Sequence, residues 1–411
     1  MRLHSLVVTL GLAGPLFAHP LDQPQGPEHE ATTKSRILQL PIVVSDPREE
    51  DVGNRNEGSV DRRGVIDRPL IEENSMSGVF VELTVGNPGQ KVKVHLGTGS
   101  SKLFVISAPD DPDQSLSQPE LFFNASKSQT IKGTGKSDSV SYADGSAADW
   151  EVYEDDISLG STSVGRVPFG VTPRNLTTGS KYGIWGMNMA KDNKLFRLMA
   201  EKGLISSRAF SLDVGNASTH AGFVTFGGLD TKKFSGPLVK LPLVTNLNPI
   251  VEGQNKPESS PTTRYAVILD KISMSENGQK KGIFDRKDRA EDVQVILDSG
   301  SQYNVLPTFL FDEFVRQFPD ARKSTYGRFS VFPQHHGSPS FLVVDCALKN
   351  STATIDFTFG EATIRVPFSE FIVQRQFYAC ELGVMELPKF STSHQTLLKP
   401  RAQRLAVGEN S

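Results

Sequence analysis

The chain has 411 residues, enough for two or three domains once any targeting segment is set aside. Its 44 Lys and Arg against 47 Asp and Glu leave a net charge of −3, so it has no excess of positive charge with which to neutralise a phosphate backbone, and no nucleic-acid partner is expected. Two Cys exclude a disulfide scaffold and a four-thiolate zinc site, and the eight His form no metal-ligating pair, so neither a metal nor a cofactor is expected.

Residues 1–18 begin with a basic Met1-Arg2, continue through a short apolar run and a break at Pro15, and end on the small residue Ala18. That is the pattern of a secretory signal peptide, and its apolar part is too short to span a bilayer. Secretion, or residence in a lumenal compartment, with no membrane anchor, is the expectation. Residues 19–63 are poor in apolar runs except Ile37 to Val44, and they end on the dibasic pair Arg62-Arg63, a site open to a processing protease. The stretch reads as a removable pro-segment; a solvated charged tail is the alternative.

From Val65 onward, short runs rich in Val, Ile, Phe and Thr alternate with Gly, Pro, Asn and Asp clusters. Residues 79–85, 91–96, 223–226 and 353–359 are the clearest, and together they predict an all-β protein. The spacing predicts helices only over 191–202, closed by Gly203, and over 307–318, where Pro307 suits a first helical position and Phe311, Phe314, Val315 and Phe318 share a face. Residues 64–245 form a first β lobe, the polar stretch 246–263 a loop or linker, 264–390 a second β lobe and 391–411 a polar tail. Cys346 and Cys380 would close a loop of about 35 residues in an oxidising compartment, or remain two buried thiols. Asn124, Asn175, Asn216 and Asn350 each open an Asn-x-Ser/Thr triplet, a candidate glycosylation site.

The most informative pattern is a repeat. Val94-His95-Leu96-Gly97-Thr98-Gly99-Ser100-Ser101 aligns with Val295-Ile296-Leu297-Asp298-Ser299-Gly300-Ser301-Gln302, 201 residues later. Each copy is a β run that breaks into a hydroxyl-Gly-Ser turn, which suggests duplicated lobes sharing one cleft. One turn opens on a carboxylate and the other on glycine.

These residues, with Val85-Gly86-Asn87-Pro88-Gly89-Gln90, Val140 to Ser146, Gly183-Ile184-Trp185-Gly186 and Phe226-Gly227-Gly228-Leu229-Asp230, make the chain resemble the pepsin-like aspartic peptidases, the secreted fungal type in particular. The resemblance covers nearly all of the chain beyond residue 64. It implies a bilobal all-β fold with a central substrate cleft, a second-lobe disulfide matching Cys346 and Cys380, and a peptide or protein partner bound by a monomer. It also implies substrate-binding roles for Gly99, Gly300 and Ser301 beside the turns, and for Tyr142, Ala143 and Asp144 on a flap.

Hydrolysis in that family uses two Asp carboxylates that share a proton around one water. Here Asp298 matches one of them, and Gly97 stands where the other is expected. His95, two residues from the gap, reads as a partly exposed strand residue rather than a substitute. The family's crossing element is expected just after the second Cys; this chain reads Cys380-Glu381-Leu382-Gly383-Val384 and then becomes polar, so the closing strands look missing. The expected function is that of a peptide-binding, catalytically impaired relative. The competing expectations are an active aspartic-type endopeptidase and a non-catalytic inhibitor or recognition protein on the same fold.

Overall fold

The structure, a computed structural model, describes residues 4–9, 37–45, 78–108, 122–141, 147–173, 177–178, 182–190, 193–213, 221–228, 238–244, 264–301, 303–325, 340–374, 380–386, 395–398 and 404–409. It is an all-β protein of two lobes, as expected. One large sheet organises the first lobe and continues beyond it, and an eight-stranded and a four-stranded sheet build the second.

Strand formation follows from side-chain alternation. In Gln90–Gly97, Val92, Val94 and Leu96 point one way and are fully buried, while Lys91 and Lys93 point the other. Ala147–Leu159 follows the same logic, with Ile157 and Leu159 in the core, while in Thr162–Thr172 an irregularity of register opposite Ile157 and Ser158 lets Val164 and Val167, three residues apart, both be buried. The four strands predicted from the sequence all form, as Gly78–Val85, Gln90–Gly97, Ala221–Phe226 and Thr354–Phe359.

Both predicted helices form and are somewhat shorter than expected. The first is Lys194–Glu201, which buries Leu195, Phe196 and Met199. The second is Thr308–Gln317, which buries Leu310, Phe311 and Phe314. Pro307 caps the second helix from outside with ψ 153° instead of occupying its first turn. A single turn at Phe368–Phe371 adds a third helix that sequence periodicity did not reveal, since four residues are too few to show a period.

The two lobes repeat one strand arrangement. In the first, Gly183–Gly186 lies between Gln90–Gly97, to which it is parallel, and Leu103–Ser107, to which it is antiparallel. In the second, Gln395–Leu398 lies between Val293–Leu297, again parallel, and Asn304–Leu306, again antiparallel. The crossing element of the second lobe is therefore 395–398, not the stretch after Cys380 expected from the sequence. Cys380–Glu386 instead pairs with Ser340–Val344 and with the outer side of Asn304–Leu306.

This corrects two expectations. Residues 391–411 are not wholly a polar tail, and closing strands are present: Gln395–Leu398 completes the second lobe, and Arg404–Glu409 pairs with Phe210–Asp213 of the first-lobe sheet. The charges of the segment made it read as solvated, but in a four- to six-residue strand backbone pairing on both sides decides the outcome.

Two N-terminal runs also enter the large sheet. Leu38–Ser45, inside the stretch read as a pro-segment, lies between Gly78–Val85 and Ala221–Phe226, and Leu40 and Ile42 are buried there. His4–Thr9, inside the stretch read as a signal peptide, pairs with Val239–Pro242 and Arg404–Glu409. The 246–263 loop lies outside the described residues. Among the described residues, no helix is long and apolar enough to cross a membrane.

Candidate functional site

The two repeat turns meet where the lobes join. Gln90–Gly97 and Val293–Leu297 deliver Thr98 and Ser299 to the junction, and both residues are buried almost completely. Their hydroxyls form a reciprocal clamp. Thr98 Oγ1 donates to the Leu297 carbonyl at 2.8 Å and accepts from the Ser299 amide at 2.9 Å. Ser299 Oγ donates to the Leu96 carbonyl at 2.6 Å and accepts from the Thr98 amide at 3.1 Å. Each hydroxyl uses its donor and one acceptor position, so four buried polar groups of backbone are satisfied across the lobe boundary. Sequence reasoning did not single out this clamp, although its signal was present: a hydroxyl residue follows position 97 in one repeat and position 298 in the other.

The clamp sets Gly97 and Asp298 in equivalent places, one at the end of each strand. Asp298 Oδ1 accepts from the Gly300 amide, two residues on in its own turn, at 2.8 Å. By the internal two-fold, the amide of Gly99 would serve a carboxylate at position 97. It donates instead across the boundary to the same Asp298 Oδ1, at 2.9 Å. One carboxylate thus receives both amides, and it is the second lobe that supplies it.

The surrounding glycines differ in the room they leave. A Cβ on Gly186 would fall 2.4 Å from the Ser100 carbonyl oxygen, so close backbone approach requires glycine there, and one on Gly99 would fall 2.3 Å from Asp298 Oδ2 and would have to push that carboxylate aside. A Cβ on Gly300 would be 3.0 Å from Asp298 Oδ1. At Gly97 the nearest atoms among the described residues are Ile184 Cγ2 at 3.9 Å and Gly300 Cα at 4.0 Å, ordinary contact distances, so the packing of those residues does not demand glycine there.

The remaining candidates are placed as follows. The Ser301 amide donates to the Asp298 carbonyl at 3.2 Å, and its Oγ donates to the Tyr303 carbonyl at 2.6 Å, so Ser301 tightens the turn behind the carboxylate. Tyr142, Ala143 and Asp144 lie outside the described residues; the strands on either side of them, Lys132–Ser141 and Ala147–Leu159, pair with Ser141 opposite Ala147. Lys102, just past the first turn, bonds Asp138 of that hairpin at 2.9 Å. The Asp138 carboxyl is pushed up by partial burial, but the bond from Lys102, the Ser139 amide and the Lys102 charge outweigh this and hold it below its ordinary value of 3.8.

His95 is buried, not partly exposed as expected. Its ring lies 5.3 Å from that of Phe80 and 5.2 Å from that of Tyr182. Because the strand stays regular through Gly97, His95 and Gly97 share a face, and the aromatic pair covers the histidine. Trp185 is fully buried and stacks on Phe226 at 5.3 Å, as its core assignment anticipated.

Cys346 and Cys380 are joined, with Cα atoms 5.1 Å apart, which fixes the short turn Cys346–Asn350 to the start of the Cys380–Glu386 strand. Asn350 is exposed at the end of that turn. Asn124 is half-buried and its Oδ1 accepts from the Ser126 amide and hydroxyl, while Asn175 and Asn216 lie outside the described residues. Among the described residues no group of His, Cys, Asp and Glu is arranged to hold a metal ion.

Residues 79–398 match the sequence profile of the eukaryotic aspartyl protease family. The chain is 26% identical over 358 residues to a probable aspartic-type endopeptidase of Aspergillus oryzae, a match that covers 81% of this chain and 66% of that protein. It is 27% identical over 311 residues to an acid protease of Saccharomycopsis fibuligera, covering 74% and 70% respectively. It is 30% identical over 198 residues to secreted aspartic protease 8 of Candida albicans, covering 45% and 48%. The chain thus spans between about half and about two thirds of the length of most of these curated relatives.

Proposed function

We propose, since this chain belongs to the eukaryotic aspartyl protease family, that it is a secreted peptide-binding protein whose hydrolytic centre is impaired. Peptide hydrolysis by paired carboxylates needs an ionised group to take a proton from water and a protonated one to polarise the scissile carbonyl. A lone carboxylate holds only one of these states at a time. Asp298 is the one carboxylate that the two turns themselves carry, and Gly97 offers neither a base nor an acid.

The observation that carries this reading is the Gly99 amide. It donates to Asp298 rather than to a first-lobe carboxylate, and so engages the remaining acid as a bridge between lobes. Loss of one positioned acid or base lowers a rate by about 10²- to 10⁴-fold. The cleft side of the fold is otherwise supported: the interlobe clamp, the Lys132–Ser141 hairpin and its tie to Lys102 are all in place. An extended peptide is the ligand such a cleft suits, by pairing its backbone with strand edges.

Secretion is supported by the likeness to secreted aspartic protease 8 of Candida albicans and by the Cys346–Cys380 bond, which suits an oxidising compartment. Under this reading residues 1–18 direct export, residues 19–63 are a pro-segment cut from the rest at Arg62-Arg63, and Asn124, Asn175, Asn216 and Asn350 are the glycan sites. Sequencing the N-terminus of the secreted protein tests the first two points.

For the central point, the purified chain is assayed for binding and for cleavage of fluorogenic peptides from about pH 3 to 7. Binding without appreciable cleavage is expected, with Gly97→Asp raising the rate by about 10²-fold or more. Cleavage at the pace of an ordinary peptidase that vanishes in Asp298→Asn overturns the proposal.

A further inference from the structure

We propose that Leu38–Ser45 is a permanent strand of the first lobe, held without a covalent link after a cut at Arg62-Arg63, so that the cut product is a two-piece molecule. The inference rests on the cut in the reading above and goes beyond it: the N-terminal piece is a subunit and not a segment awaiting removal.

The strand has a counterpart that cannot leave. Leu38-Gln39-Leu40-Pro41-Ile42 recurs as Val239-Lys240-Leu241-Pro242-Leu243, 201 positions on, the same interval that separates Gly97 from Asp298. Each copy forms a strand of the large sheet, Leu38–Ser45 in one case and Val239–Pro242 in the other. Leu40 and Leu241 are both buried, and each packs on a glycine turn. Leu40 Cδ2 lies 3.6 Å from the Cβ position of Gly160, in the turn between Ala147–Leu159 and Thr162–Thr172 of the first lobe. Leu241 Cδ2 lies 3.6 Å from that of Gly360, in the turn between Thr354–Phe359 and Ala362–Pro367 of the second. The two glycines have φ of 56° and 54° and stand 200 positions apart, so the seat is duplicated as well as its occupant.

Val239–Pro242 lies in mid-chain, and no cut near Arg62 can release it. Leu38–Ser45 makes the matching contacts from a piece that the cut frees only covalently. It pairs with six residues of Ala221–Phe226 and with four of Gly78–Val85, and it buries Ile42 as well as Leu40. Gln39 Nε2 donates to the buried Thr225 hydroxyl at 3.2 Å. Without the strand, its two neighbours would face each other across an empty slot with those edges unpaired. The loss would reach the centre, because Gly78–Val85 carries Phe80, whose ring covers His95 two residues before Gly97.

Held along both edges, the strand leaves only as a unit. Each of its two buried side chains favours the seated state by about 10- to 10²-fold, and the backbone ladders and Gln39 add to this. A seat with a mate in the other half of the molecule belongs to the plan of the lobe. The first lobe therefore begins near residue 37, and Arg62-Arg63 is a site inside it.

The test uses the secreted full chain, cut in vitro by a protease specific for dibasic pairs. Size-exclusion chromatography at neutral and at acid pH, with mass spectrometry of the peak, is expected to find both pieces together in equal amounts. Urea is expected to release the small piece at the concentration that unfolds the large one. Leu40→Ala and Ile42→Ala each loosen the small piece by about tenfold or more, while Ile37→Ala, at an exposed position, changes little. As a second readout, Leu40→Ala and Leu241→Ala in the uncut chain lower the midpoint of thermal unfolding by similar amounts. A small piece that elutes alone while the large one keeps its circular dichroism and tryptophan fluorescence overturns the proposal, and so does a loss at Leu40 far below that at Leu241. Absence of a terminus at Gly64 in the naturally secreted protein counts against the natural cut in the reading above, and the in vitro cut still decides whether the strand is retained.

Discussion

The backbone amide of Gly99, in the first lobe, donates to Asp298 Oδ1, in the second, at 2.9 Å, and the Gly300 amide donates to the same oxygen at 2.8 Å. Two part-buried donors thus depend on one side chain. Asp298→Ala leaves both without their acceptor and is expected to lower unfolding stability by about 1–3 kcal/mol. Asp298→Asn keeps an oxygen in place and is expected to cost less. Urea denaturation of the two variants measures the difference, and equal losses would count against a bridging role.

The hydroxyls of Thr98 and Ser299 each serve as donor and acceptor across the junction. Thr98→Val and Ser299→Ala each strand buried backbone groups, at about 1–3 kcal/mol apiece. Because the two side chains serve one network, the double variant is expected to lose less than the two single losses added together, which a double-mutant cycle measures.

Gly97 and Gly99, on either side of Thr98, should respond differently to one methyl group. Gly97→Ala meets no atom of the described residues nearer than 3.9 Å and is expected to leave stability nearly unchanged. Gly99→Ala drives its methyl to 2.3 Å from Asp298 Oδ2 and forces the carboxylate away, at about 1–3 kcal/mol. Thermal unfolding of the two variants is the comparison. A larger loss at 97 than at 99 would contradict the packing described.

The Lys102–Asp138 pair gives a small effect with a definite sign. Since the Asp138 carboxyl is held below 3.8, folding favours its ionised form, and the pair stabilises the protein above that pH. The contribution fades as pH falls through the depressed value. Both side chains are substantially exposed, so Asp138→Asn is expected to cost only about 0.2–1 kcal/mol near pH 7, less in high salt, and nothing in strong acid. Denaturation curves at pH 7 and about pH 2 test this, and a variant penalty that grew in acid would reverse the sign.

Removing the Cys346–Cys380 bond frees a segment spanning 34 residues in the unfolded chain. Paired substitution by Ala is expected to lower stability by about 2–4 kcal/mol, with a similar drop for the native protein under reductant. Calorimetry with and without reductant checks the size.

What the sequence revealed was governed by local regularity. The strands rich in Val and Phe, the two longer helices and the repeat around Gly97 and Asp298 were legible because each carries its own period or turn. The crossing strand Gln395–Leu398 was not, since four residues preceding Lys399-Pro400 show no alternation that distinguishes them from a loop. Its place is decided by the open slot between Val293–Leu297 and Asn304–Leu306, a relationship between segments 90 and more residues away in sequence. The burial of His95 was hidden for a related reason: its cover comes from Phe80 and Tyr182, on neighbouring elements, and not from its own strand. Pairing of Gly99 with Asp298 was likewise invisible, because a glycine amide has no sequence signature.

The strand Leu38–Ser45 is hydrogen-bonded along both edges, to Gly78–Val85 and to Ala221–Phe226. A cut at Arg62-Arg63 severs only the covalent tether on its C-terminal side and breaks none of those bonds. The product is a nicked molecule in which the small piece stays seated like a slat in a blind, and its departure waits on a separate event that peels two ladders at once.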